Sequence, residues 1–263
     1  MIKAVFFDID GTLISDKYIM PESTKMAIEE MRQKGIKVFI ATGRSIMQIK
    51  KLPMASLEFD GYITLNGQLC LNGQGEIFYE SPLEETDRKA AEILFAKKEI
   101  PFLIVEKDRI YINFLNHMVC HTEKEISMPL PKIGEYHGEK IYQLIVHGND
   151  ATVQKVMSQL PNCKFTRWHM RGVDVISKKG GKVTGIREIL KKYAIRQEET
   201  MAFGDGDNDA EMLKFAGIGV AMGNANAYVK DQADYITKNV EEDGVLHALQ
   251  HFGILGGNNS EIN

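Results

Sequence analysis

Ile2 and Ala4 to Phe7 form a short apolar run, rich in β-formers and free of turn residues. Such a run predicts a strand buried on both faces, at the centre of a parallel sheet. Pro21 to Lys34 reads as a helix: Pro21 suits the first turn, Met26, Ile28 and Met31 supply apolar positions, and Gly35 ends it. Ile36 to Ala41 is a second buried strand, followed by the polar turn Thr42-Gly43-Arg44, with Ser45 placed to cap a short helix. Strand, helix and strand in this spacing make a βαβ unit with parallel neighbouring strands. Asp8 and Thr42 then stand at adjacent strand ends and share one crevice. Gly61 to Leu65 is a third strand, and the turn signals Asn66-Gly67 and Asn72-Gly73 around Leu69 and Leu71 predict a hairpin.

The texture changes near Pro82. Glu84 to Lys98 is an amphipathic helix, followed by strand-like pieces at Phe102–Val105, Arg109–Phe114 and Lys140–Val146, with an irregular link at Met128-Pro129-Leu130-Pro131. Asn149 to Leu160 reads as a second helix, and Lys164–Thr166 and Val173–Ser177 as further strands. Two helices among short hairpin-like strands predict an α+β module. From Lys182 the α/β texture returns: helix Lys182–Tyr193, strand Thr200–Phe203, helix Glu211–Phe215, strand Ile218–Met222, helix Asn224–Lys230, edge strand Tyr235-Ile236 and a helix over Glu242–Phe252. The tail Gly256-Gly257-Asn258-Asn259 is read as disordered. The expected fold is α/β: a Rossmann-like parallel-sheet core of residues 1–82 and 179–263, with residues 83–178 inserted as an α+β domain.

Composition narrows the partners. The 263 residues suit two domains, and 32 Lys plus Arg against 36 Asp plus Glu give a net charge of −4, which argues against a broad nucleic-acid surface. The three cysteines, Cys70, Cys120 and Cys163, are far apart and odd in number, so neither a disulfide framework nor a CxxC metal site is expected. A reducing cytoplasm is the natural compartment. The opening apolar run is cut by Asp8, too early for a signal peptide, and no stretch reaches the ~18 apolar residues of a membrane span.

Three strand ends carry polar, glycine-punctuated turns: Asp8-Ile9-Asp10-Gly11-Thr12, Thr42-Gly43-Arg44 and Gly204-Asp205-Gly206-Asp207-Asn208-Asp209. In open α/β sheets ligands bind beyond the carboxyl ends of the strands. Carboxylates that converge there need a cation. An oxygen-rich, thiol-free set favours Mg2+, which commonly binds a substrate phosphate as well. The Thr42 hydroxyl, the Gly43 amide and the ammonium of Lys182, which opens a helix, are the groups a phosphoryl oxygen requires. A carboxylate beside them can attack phosphorus to give an aspartyl phosphate.

Competing motif readings are weaker. Gly181-Lys182 lacks the rest of a Walker A loop, and Asp205 to Asp209 opens like an EF-hand but places Ala210 where glycine is required. Gly217-Ile218-Gly219-Val220-Ala221 departs from a dinucleotide fingerprint. Arg44 suits a structural role as well as a substrate-facing one. Trp168, His169 and Arg171 cluster just before the return to the core, where packing explains them as well as a specificity loop does, and His121 and His147 carry no readable signal.

In order along the chain, the Asp8, Thr42, Lys182 and Asp205 segments resemble the four motifs of the haloacid dehalogenase superfamily, and the insert resembles the cap of its Cof-type phosphatases. The resemblance implies Asp8 as nucleophile and Asp10 as general acid/base. It implies Mg2+ held by the Asp8 carboxylate, the Asp10 backbone carbonyl and Asp205. Thr42, Gly43, Lys182 and Asn208 would contact the phosphoryl group with help from the Ile9 backbone, and Asp209 would orient Lys182 or the metal's waters. The expected activity is Mg2+-dependent hydrolysis of a small-molecule phosphate ester, such as a sugar or cofactor phosphate, by a monomer or weak homodimer. A phosphosugar mutase and a non-catalytic phosphometabolite-binding protein are the alternatives.

Overall fold

The computed structural model describes residues 1–126 and 128–256. In chain order its elements are β1 (Ala4–Phe7), α1 (Glu22–Gln33), β2 (Lys37–Ala41), α2 (Ile46–Ile49), β3 (Gly61–Thr64), β4 (Leu69–Asn72) and β5 (Ile77–Glu80). There follow α3 (Glu85–Lys97), β6 (Phe102–Val105), β7 (Ile110–Ile112), α4 (His117–Glu125), β8 (Gln143–His147), α5 (Asp150–Met157), β9 (Cys163–His169) and β10 (Gly172–Ser177). The last stretch holds α6 (Lys182–Tyr193), β11 (Thr200–Gly204), α7 (Ala210–Phe215), β12 (Ile218–Ala221), α8 (Ala227–Lys230), β13 (Tyr235–Ile236) and α9 (Gly244–His251). Two compact units emerge, one of Met1–Tyr79 with the chain from Lys182 onward, the other Glu80–Gly181. Residues 257–259 of the tail read as disordered lie outside the described residues.

The first unit is α/β. Its sheet runs β13-β12-β11-β1-β2-β3-β4-β5, with β1 parallel to both β2 and β11 and the hairpin partner β4 antiparallel to β3. β1 alternates its side chains into two cores. Val5 and Phe7 pack with Ile28 and Met31 of α1 and Ala248 and Leu249 of α9. Ala4 and Phe6 pack with Ile186 and Ile189 of α6 and Met212 and Leu213 of α7. Helices on both faces explain why these strands read as unbroken apolar runs. Met26 departs from the helix reading: it is 64% exposed while Ile28 and Met31 are buried.

The second unit is an antiparallel sheet of order β7-β6-β8-β10-β9. α3 and α5 cover one face through Ala91, Phe95, Val153 and Val156 on Phe102, Ile104, Leu144 and Val173. α4 was absent from the sequence reading, which expected two helices here. It contributes Val119 to a small cluster with Leu103 and Ile112, while its other buried residues are polar, Thr122 and Glu123. With one apolar anchor it has no apolar period to detect; its one local signal is the Asn116 cap, whose side chain accepts from Val119 N at 2.9 Å.

Under α4 lies His147, fully buried, its Nε2 3.4 Å from Glu123 Oε1 without hydrogen-bond geometry. Burial pushes Glu123 up to about 7. Burial, then the neighbouring His169, pushes His147 down to about 4. From the ordinary Glu value of 4.5 to the ordinary His value of 6.5, the folded pair holds one proton on Glu123 and the unfolded pair holds one on His147. Equal proton counts give no stability slope from this pair in that window. Glu123→Gln removes the folded-state proton but not the unfolded one. Relative to wild type, the variant's stability therefore rises with pH across that window, at up to ~1.4 kcal/mol per pH unit. Urea unfolding at stepped pH reads this difference; parallel wild-type and variant curves would show that Glu123 carries no proton there.

Candidate active site

The parallel register of β1 with β2 and β11 pairs Phe7 with both Ile40 and Phe203, so the residues after these strands emerge along one edge. Asp8 N donates to Phe203 O at 3.0 Å and Thr42 N to Ile63 O at 2.8 Å, which fixes both turns to their neighbours. Gly11 has φ +76°, and a Cβ there would stand 2.0 Å from Asp205 Oδ2. Only glycine lets the first loop come this close to the third strand end.

Lys182, buried at the start of α6, donates to Asp8 Oδ1 and to Asp209 Oδ1, each at 2.6 Å. The second oxygen of Asp209 accepts from the amides of Asp205 at 3.0 Å and Gly206 at 2.9 Å. Asp209 thus accepts three hydrogen bonds and orients both Lys182 and the loop. Asp205 accepts from Thr12 Oγ1 and from Asn224 Nδ2, both at 3.1 Å. Carboxylate oxygens of Asp8, Asp205 and Asp209 lie within 4.8 Å of one another.

Burial is the largest influence on the Asp8 carboxyl; with repulsion from Asp209 it outweighs Lys182 and holds the group well above the usual carboxylate range. Burial and then Asp209 push Asp205 up to about 7, against the Thr12 hydrogen bond and Lys182. Burial disfavours the charge on Lys182, but Asp209 and Asp8 outweigh it and raise its pKa. With all three ionised, the carboxylates outnumber the one ammonium by two in a buried space, an excess that a bound cation would offset. Hard oxygen donors with that excess fit a divalent cation. Each of the three can offer a carboxylate oxygen, Asp209 with the least spare capacity because it already accepts three hydrogen bonds.

The other expected residues are placed as follows. Asp10 turns its carboxylate outward into a two-point pair with Arg44, Nε to Oδ2 and Nη2 to Oδ1, both 2.7 Å. Arg44 has a defined role here as the partner of Asp10, which holds its guanidinium above its ordinary pKa despite burial. Thr42 is buried and its hydroxyl accepts from Arg44 N at 3.1 Å, leaving the hydroxyl hydrogen for a further acceptor. Gly43 is half-buried beside it. Ile9 sends its side chain into the core while its carbonyl accepts from Thr12, Leu13 and Ile14. Asn208 Nδ2 donates to Asn66 Oδ1 at 2.9 Å. Sequence reasoning read Asn66 only as a turn residue and Asn224 only as a helix start, not as residues of the site. Both sit in turns distant in sequence from their partners, and no local signal marks their contacts.

Gly11→Ala tests the close approach. The added Cβ, at a backbone conformation that alanine resists, must displace Asp205. The expected result is a loss of divalent-cation affinity of about 10–100-fold, read by calorimetry. Unchanged affinity would mean that Asp205 is not a ligand.

Comparison with known proteins covers nearly the whole chain. The family model described as haloacid dehalogenase-like hydrolase matches residues 5–249. YkrA of Bacillus subtilis (strain 168) is 32% identical over 256 residues, covering 96% of this chain and 98% of YkrA. YcsE of the same organism, a 5-amino-6-(5-phospho-D-ribitylamino)uracil phosphatase, is 29% identical over 254 residues, covering 95% of this chain and 96% of its own. The solved structure of the subclass IIB sugar phosphatase BT4131 superimposes with a TM-score of 0.85 at 38% identity, covering 96% of this chain and all of the other (100%).

Proposed function

We propose that this chain, which belongs to the haloacid dehalogenase-like hydrolases and is a phosphatase, hydrolyses small phosphorylated metabolites with Mg2+ through an aspartyl phosphate on Asp8. One observation carries the reading: the buried Asp8 carboxylate, tied by Lys182 at 2.6 Å, shares an acidic cluster with Asp205. Lys182 occupies Oδ1, which leaves Oδ2 to form the bond to phosphorus as the bond to the leaving oxygen breaks. Asp10 gives that oxygen its proton and then takes one from the water that attacks phosphorus, while the bond from Asp8 Oδ2 to phosphorus breaks and frees phosphate and the Asp8 carboxylate. Thr42, Gly43, Lys182 and Asn208 hold the phosphoryl oxygens, with the Ile9 backbone beside them, and Asp209 keeps Lys182 in place. The Asp8 carboxylate, the Asp10 carbonyl and Asp205 would hold Mg2+, which when bound offsets carboxylate charge and polarises the phosphoryl oxygens.

In the structure the Asp10 carboxylate is held by Arg44 at two points, so to reach the leaving oxygen it must leave Arg44. Asp10→Asn is expected to slow esters with sugar-alkoxide leaving groups about 10²–10⁴-fold and nitrophenyl esters far less. Equal losses on both, measured as kcat/KM, would refute the acid role.

The substrate class is supported by the relatives: YcsE carries the name of a phosphorylated ribityl compound's phosphatase and BT4131 that of a sugar phosphatase. We assign residues 83–178 as a cap that controls access to a core of 1–82 and 179–263. Their own apolar core around Phe102, Leu144 and Val175 supports a folded lid rather than a loop. The cysteines Cys70, Cys120 and Cys163 are free, which suits a reducing cytoplasm. No described helix is long and apolar enough to cross a membrane. The test is a panel of phosphorylated metabolites with Mg2+ or with chelator. Phosphate release from some members, abolished by chelation and restored by Mg2+, is expected. Isomerised product in place of phosphate would indicate a mutase, and binding without turnover a sensor.

A further inference from the structure

The turn after β3 is costly in ways that its own packing does not explain. Leu65 and Asn66 are consecutive non-glycine residues in the left-handed region, at φ +52° and +53°. Both are buried, and the amide of the fully buried Gln68 has no hydrogen-bond partner at either end. Backbone strain and an unsatisfied buried group persist where the surroundings enforce them, and they cluster at functional sites.

What this turn touches supplies the reason. Asn66 N donates to Thr42 O at 2.9 Å and Leu65 N donates to Arg44 O at 3.1 Å, so the turn is fastened to both ends of Thr42-Gly43-Arg44. The Asn66 side chain reaches the opposite loop, where Oδ1 accepts from Asn208 Nδ2 at 2.9 Å. One residue thereby fixes two segments that are far apart in sequence.

We propose that Asn66 is a positioning residue for phosphoryl binding, acting through Asn208. A primary amide can present its oxygen or its NH2 group to a ligand, and only NH2 suits a phosphoryl oxygen. By accepting one N–H of Asn208, Asn66 sets the amide the right way round and leaves the second N–H for the anion. The left-handed backbone is what brings the Asn66 amide N to Thr42 and its side chain to Asn208 together. Asparagine is among the few side chains that tolerate that conformation. The inference rests on the proposed contact of Asn208 with the phosphoryl group.

Asn66→Gly keeps the left-handed turn and removes the acceptor. Asn66→Ala removes the acceptor and adds backbone strain. These variants, Asn208→Ala and the double variant Asn66→Gly/Asn208→Ala are assayed on nitrophenyl phosphate, with inorganic phosphate as competing ligand. Asn208→Ala is expected to raise KM and the phosphate inhibition constant about tenfold. Asn66→Gly raises both several-fold with a smaller change in kcat, and the double variant is no worse than Asn208→Ala alone, because the two act as a unit. Asn66→Ala melts lower than Asn66→Gly but has the same inhibition constant. The inference is overturned by additive losses in the double variant, by an inhibition constant that tracks melting temperature, or by a normal Asn66→Gly beside an impaired Asn208→Ala. A normal Asn208→Ala overturns it too, and in that case the phosphate contact of Asn208 itself is at fault.

Discussion

Asp8→Asn is expected to lose at least ~10⁴-fold in kcat while keeping its fold, because an amide cannot take the place of the attacking carboxylate. The variant separates catalysis from stability. Asp8 is a buried acid whose charge is disfavoured by burial and by Asp209, so its neutral isostere relieves the cluster. Lys182 keeps its other partner, Asp209, at 2.6 Å. The melting temperature should therefore match or exceed that of wild type measured without divalent ions. Calorimetric melting beside a phosphate-release assay checks both halves. Substantial turnover by Asp8→Asn would remove Asp8 as nucleophile, and a collapse in melting temperature would mean that its charge is structural.

Lys182→Met is expected to show the largest stability effect in the molecule. It leaves Asp8 and Asp209 facing each other without the ammonium that both contact, in a space from which solvent is almost excluded. Removing one partner of a buried ion pair typically costs about 3–5 kcal/mol. Denaturant unfolding without divalent ions should show a loss of that order, and turnover should fall as well. The double variant Lys182→Met/Asp209→Asn removes one of the stranded charges and should recover part of the stability but none of the activity. A Lys182→Met protein as stable as wild type would show that the two carboxylates are not both charged beside it.

The parts of this molecule that were legible in the sequence are those where one physical demand dominates. β1, β2, β11 and β12 lie at the centre of a sheet covered on both faces, so apolar runs such as Val5-Phe6-Phe7 followed abruptly by Asp8 could be read directly. The inserted α+β unit was visible from its hairpin spacing, yet α4 was missed because only Val119 anchors it among polar residues. At the site, Asp8, Lys182, Asp205 and Asp209 were readable because acidic or basic residues at strand and helix ends are costly without partners, and the structure brings these four together. Side-chain direction was not readable. Asp10, expected as the general acid/base, has its carboxylate paired with Arg44 rather than free at the site. Asn66 and Asn224 stand 142 and 19 residues from their partners, a closeness that only the folded sheet creates.

The covalent step at Asp8 is tested most directly by chemical trapping. Enzyme turning over a phosphate ester with Mg2+ is quenched within the turnover time and treated with borohydride, which reduces an acyl phosphate but not a free carboxylate. Asp10→Asn serves as the parallel sample, since slower hydrolysis lengthens the life of the intermediate. The account predicts conversion of residue 8 to homoserine in the peptide carrying Phe7, Asp8 and Ile9, dependent on substrate and greater in Asp10→Asn. Reduction at another carboxylate, or none at residue 8 while phosphate is released, would contradict it.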